Sequence, residues 1–540
     1  MIEAETLGIL FEEATSAYSG NLMNSMTDDS ASYTYGRFAE RTREVSRLLS
    51  AHGIGAGGKV ALFSAGHPNW AVVFFSAVAF GRVCVPILPD FSEREVDNVI
   101  SHSGCEVIFV SRRNLPRISR ESRESLKLII ELETLNPVYI SDEAAHFDIR
   151  TAAPKADDVA VLIYTSGTSG KAKGVQLTHR NLLASVRSAY HAFVLRPKDV
   201  LLSVLPLAHA YELSVGFLYP FASGSGVWYL PKAPSTSVLL PAMRKVRPTA
   251  MLVVPLLMEK VYKGMVLPTI RDSKVLSWMD AHMHGLLCRL VGVKLMKAFG
   301  GRLKVLGIGG AKLDLNVEKF LYDARFPYYI GYGLTETSPL LTISCYRDTV
   351  PGSIGPAVYG VQLRLDNVNP ETGEGEIVAK GDNVMPGYYL DPERTAGAFT
   401  DDGWFRTNDL ASVDASGRYF IKGRLSNMIL GASGENIYPE EIENVFRELP
   451  EVEEVIVVER KGLLVGLVCL VDGTVDFEHL DSLMIATQVD PLKEKILNYV
   501  NARVRSSSRL SSVELMTEPF EKTATLKIRR FLYNNSAPTV

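Results

Sequence analysis

Between Val159 and His179 the chain reads VAVLIYTSGTSGKAKGVQLTH. An apolar run of strand type leads into Thr165, Ser166, Gly167, Thr168, Ser169, Gly170, Lys171, Lys173 and Gly174, and a helix is expected to begin near Thr178. Glycines let backbone N–H groups converge on an anion, hydroxyls add donors, and the lysines offset negative charge, so this loop suits phosphate groups. It is not a Walker A loop, because no Gly is followed five positions on by Gly-Lys-Ser/Thr. A plain surface turn would account for the glycines but not for two lysines placed directly after a buried strand.

Five further blocks follow in order: LPLAHAYEL (205–213), GIGGAKL (307–313), YGLTETSP (332–339), DGWFRTNDLASVD (402–414) with GRYFIKGR (417–424), and EKTATLKIRR (521–530). Together with the loop they resemble the adenylate-forming superfamily of acyl-CoA synthetases, peptide-synthetase adenylation domains and luciferases, from about residue 30 to 535. LPLAHAYE and the DGWFRTND…GRYFIKGR block look most like the fatty acid activators of that superfamily.

The resemblance implies a reaction and assigns the parts. A carboxylate is a poor electrophile; joining it to the α-phosphate of ATP, with pyrophosphate departing, makes a mixed anhydride from which a thiol displaces AMP. By resemblance, Thr165, Ser166, Gly167, Thr168, Ser169, Gly170 and Lys173 hold phosphates, Tyr332 and Gly333 lie against adenine, and Thr335 bonds the α-phosphate. Glu336 and Thr165 hold Mg²⁺, for which a lone carboxylate helped by phosphate oxygens is a suitable hard-oxygen set. Gly309, Gly310 and Ala311 let a flat ligand approach the backbone, and His209 stands beside the acyl carboxylate. Asp409 and Arg424 match the ribose-binding pair.

Lys527 is the expected adenylation lysine, because the terminal P-K-T-x-x-G-K-x-x-R pattern of the family aligns with EKTATLKIRR, keeping Lys522, Thr523, Lys527 and Arg530. An ammonium on a flexible stem reaches both reacting anions. Three positions depart from the pattern: Glu521 stands for Pro, Leu526 for the Gly before the lysine, and Asn408 for the Gly of T-G-D. Gly434, Glu435 and Asn436 resemble the segment that meets the pantetheine arm of coenzyme A. The expected substrates are a fatty acid, ATP and coenzyme A, with an acyl carrier protein as the alternative acceptor and a lapsed nucleotide-binding scaffold as the alternative class. His209, Val215, Leu218, Leu334 and Leu340 are the expected wall of an apolar acyl tunnel.

Composition agrees with such a role. Lys and Arg number 57 against 61 Asp and Glu, a net −4 that offers no field for nucleic acid. The five cysteines never fall as CxxC and fit free thiols in a cytoplasmic protein, and no export signal is read. Leu213 to Pro231 is uncharged over 19 residues, yet Pro220, Gly224 and Gly226 interrupt it, so a buried helix followed by a strand is expected and not a membrane span. Peripheral contact with a membrane is compatible with a fatty substrate.

These residues need a frame of α/β class. KVALF (59–63), VCVPI (83–87) and EVIFV (106–110) alternate with helical patterns, Ser92 and Glu95 form a capping box, and the texture returns at MLVVP (251–255), LKVLGIGG (303–310) and PYYIGYG (327–333). Residues 1–423 are therefore expected to form a large lobe of two α/β layers with an antiparallel, barrel-like region built from GVQLRLD, GEIVAKG and GRYFIKG. Residues 424–427 are the expected hinge, and 428–540 a small, mobile α+β domain carrying Lys527.

Overall fold

The computed structural model describes residues 3–141, 151–165, 173–430, 436–460, 462–475, 485–522 and 528–533. Among them, one sheet has seven strands in the order Asn136–Ile140, Leu128–Glu131, Val107–Val110, Lys59–Phe63, Val83–Ile87, Val159–Thr165, Lys173–Thr178. Its central strands are parallel, and those before the two antiparallel edges are apolar on both faces because helices cover both sides. The second sheet has eight strands in the order Thr342–Cys345, Tyr328–Tyr332, Val305–Gly309, Ala250–Val253, Val200–Ser203, Gly226–Tyr229, Leu22–Met26, Ser32–Thr34. Leu22–Met26 is taken from the start of the chain and laid parallel to Gly226–Tyr229, about two hundred residues later, a pairing that no local pattern announces.

An aromatic cluster joins the two layers. Phe75 stands at the centre, with its ring 5.6 Å from Phe11, 5.8 Å from Phe38, 5.8 Å from Phe217 and 4.5 Å from Phe221. Rings at these separations gain edge-to-face and offset contacts beyond the area they bury. The uncharged 213–231 stretch ends up here: a wide π-helical turn Glu212–Leu218, a short helix Tyr219–Ala222, and the strand Gly226–Tyr229, all enclosed. No helix among the described residues is long and apolar enough to cross a membrane. All five cysteines are free, and four of them are buried.

The antiparallel region is a four-stranded meander, Val361–Asp366, Gly375–Gly381, Phe405–Val413 and Tyr419–Arg424. Beyond it, Val452–Arg460, Leu463–Leu470 and Ser512–Leu515 form a small sheet that packs with the helices Pro439–Phe446 and Asp490–Asn501 around a hydrophobic cluster of their own. A separate core of this kind is what lets a unit move as a body.

The π-turn holds a carboxylic acid in that interior. Glu212 is fully buried; its Oε1 accepts from Ser203 Oγ at 2.5 Å, and its Oε2 has no partner among the described residues. Gly216 makes the arrangement possible, since a Cβ there would lie 2.6 Å from the carboxyl carbon. Burial pushes the Glu212 carboxyl up to about 8 against the hydrogen bond from Ser203. Being raised above its unfolded value, this group favours the folded state at low pH, and the contribution is lost as pH rises towards 8. Glu212→Gln, which cannot ionise, is therefore expected to gain on the parent in urea melts between pH 5.5 and 8, by at most roughly 1.4 kcal/mol per pH unit. A difference between the two proteins that does not change with pH would show that the folded state does not carry this proton.

Candidate active site

Thr165 ends the strand Val159–Thr165, and its antiparallel register partner Lys173 begins the next one. The helix His179–Ala192 begins where the sequence leads one to expect it, capped by Thr178 in a capping box with Asn181, but the strand Lys173–Thr178 takes up residues expected to be loop. The hairpin fixes both ends of the loop. Ser166, Gly167, Thr168, Ser169 and Gly170 lie outside the described residues, as does Lys171. Thr165 Oγ1 is buried and has no hydrogen-bond partner among the described residues, which fits a hydroxyl waiting for a phosphate or metal ligand.

Lys173 reaches across to the YGLTETSP segment. Its Nζ donates to Glu336 Oε1 at 2.6 Å and to Tyr388 Oη at 2.9 Å, and the Tyr388 hydroxyl donates to the same carboxylate oxygen at 2.9 Å. Glu336 is 5% exposed. Burial pushes its carboxyl up, but the Lys173 charge and the hydrogen bonds outweigh that and hold it below the usual carboxylate range, so it is an anion at neutral pH. Thr335 precedes it at the start of a 3₁₀ turn, half-buried.

The segment around Glu336 is pinned by its own backbone. Thr337 Oγ1 donates to Pro339 O at 2.9 Å, Asn383 Nδ2 donates to the carbonyls of Thr337 and Leu340 at 3.0 and 2.6 Å, and Met385 N donates to Glu336 O at 2.8 Å. The chain folds back so closely that a Cβ on Gly333 would lie 1.5 Å from the Pro339 carbonyl oxygen. Only glycine fits there.

Tyr332, just before that point, donates its hydroxyl to Asp409 Oδ2 at 2.8 Å, while Arg424 Nε donates to Asp409 Oδ1 at 2.9 Å. Asp409 and Arg424 face each other in register on the last two strands of the meander. Thr407 adds its Oγ1, which accepts from Asp409 N at 3.1 Å. Asn408, where the family pattern has Gly, adopts φ +59°, and its N–H donates to Glu376 Oε1 at 3.0 Å. Asn is the side chain that best tolerates the left-handed region after Gly, so the departure preserves the turn.

Gly309 ends the neighbouring strand, Val305–Gly309, and Gly310 follows it. Gly310 has φ +89°, and a Cβ there would find its nearest atom 4.0 Å away, so the space beside it is open; Ala311 is exposed. His209 is half-buried, and its Nδ1 accepts from Tyr211 N at 3.3 Å. The Tyr211 ring itself lies over Gly307, Gly309 and Gly331, close enough that a Cβ on Gly309 would come within 3.2 Å of it. Val215, Leu218 and Leu340 sit in one hydrophobic cluster with Leu334 against it.

Lys527 lies outside the described residues, as do Gly434, Glu435 and the side chain of Asn436, whose backbone pairs with Leu430. The residues flanking Lys527 are fixed: Lys522 pairs with Ile528, Lys522 Nζ meets Glu454 Oε1 at 2.5 Å, and Arg530 forms an ion pair with Glu443. Arg529 reaches the large lobe at Glu95, 3.4 Å away. Glu95 is in the first turn of the helix that follows Val83–Ile87, a strand parallel to Val159–Thr165, so it stands at the same end of the sheet as Thr165.

Tyr388, Tyr211 and Thr407 are the participants that motif reading missed. Tyr388 is 52 positions from Glu336 and has no local signal; Tyr211 and Thr407 sit inside quoted motifs, but their roles depend on which face they present.

A buried acid held ionised by its lysine is thus linked, through the YGLTETSP segment, to a carboxylate–arginine pair on the meander. Residues 12–389 match the family described as AMP-binding enzyme, and the chain belongs to that family. It is 30% identical to "Long-chain-fatty-acid--CoA ligase FadD15" of Mycobacterium bovis over 543 aligned positions, covering 91% of this chain and 88% of that protein. It is 28% identical to "Long chain acyl-CoA synthetase 7, peroxisomal" of Arabidopsis thaliana over 92% of this chain and 79% of that one. The fold is shared with MatB from Rhodopseudomonas palustris with ATP bound (TM-score 0.77, 24% identity, 97% and 98% covered) and with the o-succinylbenzoate CoA synthetase MenE of Bacillus subtilis with ATP and magnesium (TM-score 0.77, 20% identity, 97% and 99% covered).

Asn408→Gly is expected to leave nucleotide binding within about twofold of the parent. Asn408→Val is expected to destabilise by about 1–2 kcal/mol and to weaken nucleotide binding. Thermal melts and a nucleotide titration check both, and a harmless Asn408→Val would remove the positive φ from the account.

Proposed function

We propose that the chain is an ATP-dependent long-chain fatty acid–CoA ligase. A carboxylate oxygen of the fatty acid attacks the α-phosphorus of ATP and the bond to pyrophosphate breaks; the sulfur of coenzyme A then attacks the acyl carbon, the bond to AMP breaks, and the thiol proton passes to solvent. The observation that carries this reading is the Lys173–Glu336–Tyr388 contact, which joins the phosphate loop to the YGLTETSP segment. The names of the relatives supply the acid and the thiol. They favour coenzyme A as acceptor over an acyl carrier protein, and Asn408 holds the left-handed conformation that a glycine there would adopt freely, which removes one motive for a lapsed scaffold.

The first step brings two anions together. Two unit charges 4 Å apart repel by about 4 kcal/mol at an effective dielectric of 20, and a triphosphate multiplies that. In this reading Thr165 and the loop that follows it receive the phosphates, and Glu336 with Thr165 would hold magnesium, which would supply charge neutralisation for the two reacting anions. The residues fit: Thr165 Oγ1 has no partner among the described residues and Glu336 is already ionised. Lys173 neutralises that carboxylate here and would be free to pair with a phosphate oxygen of ATP once the carboxylate had another cation. Tyr332 takes the adenine, Asp409 and Arg424 take the ribose, and Gly310 leaves the room a flat base requires.

Tyr211 lies over the glycine floor beside His209, where an acyl group would approach, so its ring must turn for a long chain to pass. Lys527 lies with the small domain, and we assign residues 424–427 as the hinge about which that domain closes for the first step and rotates for the second. Asn427 Nδ2 donates to Glu440 Oε1 at 2.6 Å in the present arrangement, a contact that rotation would exchange.

Fatty-acid-dependent exchange of labelled pyrophosphate into ATP tests the first step. Glu336→Gln is expected to lower the exchange rate roughly 100-fold and to raise the magnesium requirement. Lys527→Ala is expected to abolish exchange while leaving coenzyme A transfer from preformed acyl-adenylate within about tenfold of the parent. Equal loss of both half-reactions would contradict the division of labour, and exchange that ignores fatty acids would overturn the substrate.

A further inference from the structure

Outside the candidate active site, the helical segment Lys274–Ala298, kinked at Met283, carries Asp280 before the kink and His284, Cys288 and Gly292 at intervals of four after it, a spacing that places these three along one helical stripe. The stripe faces the end of the helix Leu315–Asp323. Gly292 is the crossing point: a Cβ there would lie 2.9 Å from the Ala324 Cβ and 3.1 Å from the Ala324 carbonyl, so the two segments touch backbone to backbone. One turn before that crossing, the side chains of His284, Cys288 and Asp323 converge.

Their geometry matches a thiophilic metal. Cys288 Sγ lies 3.4 Å from His284 Nε2, and His284 Nε2 lies 3.6 Å from Asp323 Oδ2. A tetrahedral zinc ion, with Zn–S near 2.3 Å and Zn–N and Zn–O near 2.0–2.2 Å, holds sulfur and nitrogen about 3.5 Å apart and nitrogen and oxygen about 3.4 Å apart. All three donor atoms lie within 4.8 Å of one another. The imidazole is also oriented from behind, because its Nδ1 and Asp280 Oδ1 are 2.7 Å apart. A proton on Nδ1 donates to that carboxylate and leaves the Nε2 lone pair facing Cys288 and Asp323, the carboxylate–histidine support that metal sites use. Cys288 is buried and Asp323 half-buried, while the exposed His284 leaves the outer side open for water as fourth ligand.

We infer that His284, Cys288 and Asp323, with Asp280 supporting the histidine, form a binding site for zinc or a similarly thiophilic divalent cation. The ion would staple the two helices just before the chain enters Tyr328–Tyr332, the strand that delivers Tyr332 to the candidate active site. The site is separate from the magnesium assigned to Glu336, which has only oxygen donors. Its residues take no part in the proposed reaction.

The test uses the full-length protein stripped with chelator. Cobalt(II) is added as a spectroscopic probe and zinc is titrated against a chromogenic chelator. One equivalent of cobalt is expected to give the thiolate-to-metal charge-transfer band and the visible bands of a tetrahedral site, with zinc displacing it at submicromolar affinity and raising the melting temperature. Cys288→Ala is expected to abolish the charge-transfer band and weaken zinc binding at least about 100-fold; Asp280→Asn is expected to weaken it about 10-fold. His284→Gln, at an exposed position, gives the same answer should Cys288→Ala fold poorly, and melting of the metal-free variants controls for that. Absence of the thiolate band, or zinc affinity unchanged by both Cys288→Ala and His284→Gln, overturns the site. Pyrophosphate exchange by the zinc-free variants is expected to remain within about twofold of the parent, so failure of the metal site and failure of the proposed ligase activity are read separately.

Discussion

A carboxylate enclosed as fully as Glu336 cannot remain ionised unless a cation is brought to it, because desolvation of an unpaired charge costs several kcal/mol. Lys173 is that cation, and its position at the head of a hairpin ties the loop between Thr165 and Lys173 to a segment more than 160 residues away. The same pair explains why the surroundings are so constrained. Gly333 must be glycine so that the Glu336 segment can turn back on itself, and Asn383 must hold the carbonyls of Thr337 and Leu340 so that Glu336 points at Lys173. An ion pair of this kind is weak evidence for stability, but a carboxylate kept anionic at 5% exposure is well suited to exchange its ammonium for a metal ion.

A second acid is treated in the opposite way. Glu212 is as deeply buried but meets only a hydroxyl, and burial raises it instead of a lysine lowering it. Two glutamates in one lobe thus take different protonation states at neutral pH through their partners alone. The π-turn that carries Glu212 also places Tyr211 against the glycines of the central strands, so one irregular element serves both the core and the glycine floor of the candidate site.

The meander and the small domain complete the arrangement. Asp409, Arg424 and Tyr332 come from three strands, and Arg424 is also the first residue of the segment assigned as hinge. In the proposed reading the ribose pair therefore sits at the root of the small domain. Arg529, beside the region of Lys527, touches Glu95 at the end of the sheet that carries Thr165, so the small domain already rests on the side where the phosphates are expected.

The sequence alone was enough for the motifs and for most regular elements. The capping box at Ser92, the helix onset near Thr178 and the apolar strands at 59–63, 83–87 and 107–110 are local, because hydrogen bonds within a helix and side-chain alternation depend on near neighbours. Glu336, Asp409 and Arg424 were legible as types at a spacing, with roles supplied by family resemblance. Tertiary structure decided the rest. That Leu22–Met26 joins a strand about two hundred residues away, that Lys173 meets Glu336 and Tyr388, and that Cys288 meets Asp323 are contacts between distant parts of the chain. Nothing in the local pattern encodes them, since they arise only when burying the apolar faces of two sheets fixes which remote side chains are left opposite each other.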